Sequence, residues 1–168
     1  MTYLRLLVVI GLASCLALLS PKAHAAQAYG TVVFKITGTF KTPVSKEATA
    51  QCTGILDLLP NVSGSTSLSS LTIGHLLQMG EQNAVATGVI LSPTSFSCVV
   101  TVPYRWDNFS ASQQMAISYT VIAHDPGVFN PVTGVQVGSR PGKSRQIVET
   151  IAVPADGTTT TVTVDVSL

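Results

Sequence analysis

The chain has 168 residues, enough for one domain, with a formal net charge of +1 and only 10% charged residues, against about 25% in an ordinary soluble domain. Beyond Ala25, seven basic side chains meet eight acidic ones, so net charge draws the protein to neither nucleic acid nor an anionic membrane. Ser, Thr and Gly carry the polarity instead, which suits an exported β protein better than a cytosolic enzyme.

The first element is a leader. Arg5 precedes the apolar run Leu6–Leu19, Pro21 breaks it, and Ala23-His24-Ala25 offers a small-x-small cleavage site. That order is the signature of a secretory signal peptide. The run is too short to span a bilayer, which needs about 20 apolar residues. Residues 1–25 are therefore expected to be removed, leaving 26–168 as a single domain in the periplasm or outside the cell, without a transmembrane anchor. "LASC", ending at Cys15, supplies the minor alternative of a lipoprotein anchored at that cysteine.

Period-2 patterns then follow one another between turn residues. "YGTVVFKIT" places Val32, Phe34 and Ile36 on one face. "TAQCTGILDLL" aligns Ala50, Cys52, Leu56 and Leu58. "SLSSLTIGHLLQMGEQ", from Ser67 to Gln82, predicts a short helix or an irregular crossover. "ATGVILS" is a short strand. "SFSCVVTVPY" aligns Phe96, Cys98, Val100, Val102 and Tyr104; "QQMAISYTVIAH" aligns Met115, Ile117, Tyr119, Val121 and Ala123. In "RQIVETIAV" the two faces, Ile147 with Ile151 or Val148 opposite, are nearly equal. From Thr160 to Leu168, Val162, Val164 and Val166 alternate with Thr and Asp. About seven short strands with half-polar alternation predict an antiparallel β-sandwich of immunoglobulin-like type.

Export would leave two cysteines, Cys52 and Cys98, both on the apolar face of their strands. An even count in an oxidising compartment reads as one intradomain disulfide, which on chain-entropy grounds stabilises by about 4 kcal/mol.

Few residues carry chemistry. His124-Asp125 could belong to a hydrolase triad, but no G-x-S-x-G elbow accompanies it, and Asp125-Pro126-Gly127 reads as a β-turn. His75 and His124 are too few for a zinc site, so no metal or cofactor is expected. Candidate binding residues fall in two places. "PYRWDNF" sets Tyr104 and Trp106 beside charges, either as a contact surface for protein or glycan or as a cap on the core. "SRPGKSR" gathers Arg140, Lys143 and Arg145, read as a charged hairpin tip around Pro141-Gly142. Asn61-Val62-Ser63 and Asn108-Phe109-Ser110 match the N-glycosylation pattern.

"GTVVFKITGTF", the two cysteines and the ending "VPADGTTTTVTVDVSL" resemble the chaperone–usher pilins and the spore-coat-U-like secreted proteins. That resemblance implies an assembly subunit joined to neighbours by strand addition. Ser167 stands where the pilin pattern has a penultimate Tyr, and "AQAYGTVV" leaves little chain ahead of the first strand to donate. The first expectation is a non-catalytic protein that binds a protein or glycan partner. The second is an assembly subunit that self-associates through edge strands, and the third a hydrolase using His124 and Asp125.

Overall fold

A computed structural model describes residues 26–59, 80–109, 113–154 and 156–168. The leader with Cys15, the Asn61 sequon, His75 and all of the expected helix up to Met79 lie outside the described residues, as does Ser110 of the Asn108 sequon. Gly80 is a turn residue, and Gln82 already opens a strand.

Eight strands form, rather than about seven: β1 (Ala26–Thr39), β2 (Thr49–Leu58), β3 (Gln82–Ser92), β4 (Ser95–Phe109), β5 (Gln114–Asn130), β6 (Val135–Ser139), β7 (Gly142–Ala152) and β8 (Thr158–Ser167). No helix occurs among the described residues, so none there is long and apolar enough to cross a membrane. The strands join in one hydrogen-bonded sheet of order β6-β5-β2-β3-β4-β1-β8, with β7 also alongside β5. Every pairing is antiparallel except β1 with β8, which run parallel. The expected all-antiparallel arrangement is corrected there. A parallel pair needs a long crossover, and the whole intervening chain supplies it.

The sheet turns back on itself at β3. Its residues Gln82–Asn83, Ala84 and on to Gly88 pair with β2, whereas Val89, Ile90 and Ser92 pair with β4. Gly88 stands at the change of partner. A Cβ there would lie 2.5 Å from the Cys98 sulfur and 2.7 Å from the Ser97 carbonyl oxygen, so only glycine admits this approach. β2 and β4 thereby face each other without being ladder neighbours. The Cys52–Cys98 disulfide joins them across the core, with 6.5 Å between Cα atoms.

Side-chain alternation fills the enclosed space as the strand periodicity requires. Val32, Phe34 and Ile36 from β1, Leu56 from β2, Val100 and Val102 from β4, Met115, Ile117 and Val121 from β5, and Val162, Val164 and Val166 from β8 are all buried in one cluster. In β7 the Ile147–Ile151 face reaches the core only at its end: Ile147 and Val148 are both exposed, while Ile151, with Val153 just beyond the strand, packs on the core. Two irregularities in its pairing with β5, at Ile117/Ser118 and Tyr119/Val121, break its alternation.

The expected turn at Asp125-Pro126-Gly127 is instead an irregularity inside a continuous β5. Gly127 takes φ +76°, and a Cβ on it would sit 1.4 Å from the Val137 carbonyl oxygen. The turn-forming residues bend the strand without reversing it. Beyond this bend β5 pairs only with β6, and the two form a projecting arm. Its tip is closed by Asn130, whose side-chain oxygen accepts from the amides of Val132 and Thr133 (2.9 and 3.3 Å) and whose carbonyl accepts from Gly134 N (2.8 Å).

Candidate functional site

Strand parity decides the place of the two aromatic candidates. Tyr104 and Trp106 share the face of Cys98 on β4, and that face is the core. Both are buried, their rings stacked at 4.8 Å between centroids, and the Trp106 indole donates to the Gly80 carbonyl at 2.7 Å. Burial, with a smaller push from the Asp156 carboxylate, raises the Tyr104 phenol above its ordinary pKa. This geometry is the cap on the core and takes both residues off the contact surface.

The three cations of "SRPGKSR" separate. The stretch is not a hairpin tip but the junction at which β6 hands the edge of β5 over to β7. Ala123 N donates to the Pro141 carbonyl at 2.8 Å, and Gly142 pairs with Ile122. Arg140 and Lys143 are exposed. Both line a shallow depression of about 300 Å³ with Thr120, Ile122, Gly142 and Ser144. Arg140 also borders a groove of about 450 Å³ with Phe40, Lys41 and Leu168.

Arg145 turns inward, across β5 to β2. Its Nε donates to Ser118 Oγ at 3.0 Å and its Nη1 to Glu81 Oε2 at 3.0 Å, and its Nη2 contacts Asp57 Oδ2. Asp57 is fully buried, and its other oxygen, Oδ1, has no hydrogen-bond partner. Burial raises its pKa, and the neighbouring Glu81 charge raises it further. The hydrogen bond and charge of Arg145 oppose both without cancelling them. Ser118 is buried, and its Oγ accepts the hydrogen bond of the Arg145 Nε–H. The cluster acts as a bolt, tying the edge strand β7 to the interior strand β2.

Asp125 is likewise committed. Its Oδ1 accepts from Ser45 Oγ (2.6 Å) and Gly127 N (2.9 Å), and its Oδ2 from Ser45 N (3.1 Å). Led by the Ser45 hydroxyl, these bonds hold its pKa below the ordinary carboxylate value. His124, on the opposite face of β5, is exposed, and among the described residues no hydrogen bond orients it against Asp125. No group of three His, Cys, Asp or Glu side chains among those residues converges as a metal site would need.

Several large apolar side chains also stand in water. On the arm, Phe129 is 59% exposed, Val132 91%, Val135 54% and Val137 70%. Val89, Leu91 and Val99 are also exposed on the outer face of β3 and β4. No family model, curated protein or solved structure matches the chain. The reading of its surface therefore rests on its own residues.

Asp57, Glu81, Ser118 and the arm were not singled out in the sequence. Asp57 did leave a signal: a lone acid inside "GILDLL" is a carboxylate carried into an apolar strand, and it requires a cation. The arm left almost none, since Val135 and Val137 alone make no pattern.

Proposed function

We propose that the protein is an exported, non-catalytic, immunoglobulin-like β-sandwich, periplasmic or secreted, that works by binding a protein partner. One observation carries this reading: apolar side chains on both strands of the arm, Phe129, Val135 and Val137, stand together in water. Exposed apolar side chains grouped on a projecting element mark a contact surface. The sandwich reading is supported by the disulfide between facing strands β2 and β4 and by β3 bridging the two halves.

The test is the composition of the native complex. The protein is cross-linked in its own compartment, alongside a variant carrying Val135→Ser and Val137→Ser. Loss of the cross-linked species in the variant is expected. An unchanged pattern, or a pattern removed only by competing glycans, overturns the reading. The assembly-subunit reading is favoured by a separate observation: β8 pairs with β1 alone, and β6 and β7 pair with β5 alone, among the described residues, so each presents an unpaired edge.

A further inference from the structure

We infer that β6 is a self-pairing edge, through which two copies of this chain join antiparallel across a two-fold axis. The inference rests on the binding reading above and names the partner as a second copy.

Beyond Asp125 the arm is a two-stranded ribbon whose residues from Phe129 to Ser139 all lie in solvent. A lone two-stranded ribbon is marginal in water, and this one exposes apolar side chains on both faces. Phe129 pairs with Gln136 on one face, and Val135 and Val137 occupy the other. A third strand beside β6 would complete the ladder and cover those valines.

Charge selects what that strand is. Natural edges are guarded by charged side chains, above all lysine, that repel wrong partners. β7 carries exposed Lys143 and Glu149, and β8 carries Asp165 with its valines turned to the core. The arm from Pro126 to Ser139 has no ionisable side chain. An isologous contact places the same patch on both sides of the axis, so the edge best suited to it sets no charge against its own copy. Pairing centred on Val137 would set Val135 opposite Ser139 of the second copy and Arg140 opposite Gly134. The two Arg140 side chains would then lie about 20 Å apart at strand spacing, well beyond a Debye length of about 8 Å. The arm's other free edge, on β5, is uncharged too but is interrupted by Pro126 and the irregularity at Gly127, whereas β6 is a regular five-residue strand lined by exposed Val135 and Val137.

The test is the concentration dependence of mass, by sedimentation of the exported protein, for the native chain and for Val137→Lys and Val132→Lys. Val137 is on the pairing edge; Val132 is at the tip, off the ladder. The expected result is a monomer–dimer equilibrium weakened at least tenfold by Val137→Lys and changed less than twofold by Val132→Lys, with superimposable thermal melts. A native chain that stays monomeric throughout overturns the inference. So does dimerisation untouched by Val137→Lys, or weakened equally by Val132→Lys. If the arm instead holds a different protein and no second copy, the self-pairing fails while the binding function stands. If the arm engages nothing, both fail.

Discussion

Replacing Arg145 with Met should be among the most damaging single changes in the sheet, and its effect should depend on pH in a defined direction. Arg145 donates to Asp57, Glu81 and Ser118 at once, and its side chain is 14% exposed while that of Asp57 is wholly buried. Removing one member of a buried pair strands the other, at a cost of about 3–5 kcal/mol. For a domain of this size each kcal/mol lowers Tm by about 3–5 °C, so a fall of roughly 10 °C or more is expected. Asp57 already has a raised pKa, set first by burial. Without the guanidinium, the two influences that lower it disappear, and burial and the Glu81 charge act unopposed. A carboxyl whose folded pKa lies above its unfolded value contributes stability below the unfolded pKa. That contribution is lost as pH rises through the folded one. In Arg145→Met this window extends upward, so the variant should regain stability as the buffer is taken from neutral toward pH 5, by protonating Asp57. Thermal melts of native and variant proteins at several pH values measure both effects. The double variant Asp57→Leu with Arg145→Met should recover much of the loss, since an apolar pair can replace a buried ion pair. A variant that melts within about 2 °C of the native protein, or one with no acid-side recovery, would refute the bolt.

Asp125 should show the opposite sign. Its folded pKa is lowered, so its contribution is present above the unfolded pKa and is lost as pH falls through the folded value. Asp125→Asn should therefore flatten part of the acid limb of stability below the ordinary carboxylate pKa of 3.8, read by denaturant titration at each pH; an unchanged limb would remove Asp125 from that role. Reducing Cys52–Cys98, or replacing both with Ser, should cost about 2–5 kcal/mol because the bridge closes a long loop. Denaturant midpoints with and without reductant measure this, and equal midpoints would show that the bridge constrains nothing.

Legibility in the sequence followed burial. β1, β2, β4, β5 and β8 each set one face into the core, and their alternation announced them. β6 has both faces in solvent and a glycine in its five residues, so no hydrophobic period could form. β7 was ambiguous because its pairing with β5 is twice irregular and Ile147 and Val148 both face water. The parallel β1–β8 pair was hidden for a different reason: alternation reports which face a residue takes, never which strand lies beside it. Trp106 was decidable in principle, since it has the parity of Cys98. Arg145 was the hardest, because three nearby cations read as one charged tip until the sheet carries one of them over Ser118 to Asp57.

The parallel pairing of β1 with β8 has a consequence in time. Thr37 and Asp165, hydrogen-bonded neighbours on these strands, are 128 residues apart in sequence. A ladder of such long range is slow to form, because loop closure must precede any gain. Val162, Val164 and Val166 cannot enter the core until nearly the whole chain is available. A nascent chain therefore stays short of its final structure until its C-terminal strand emerges. Under the proposed export route, this delay would keep the polypeptide open enough to be threaded across a membrane and would defer the closing of the sheet to the far side.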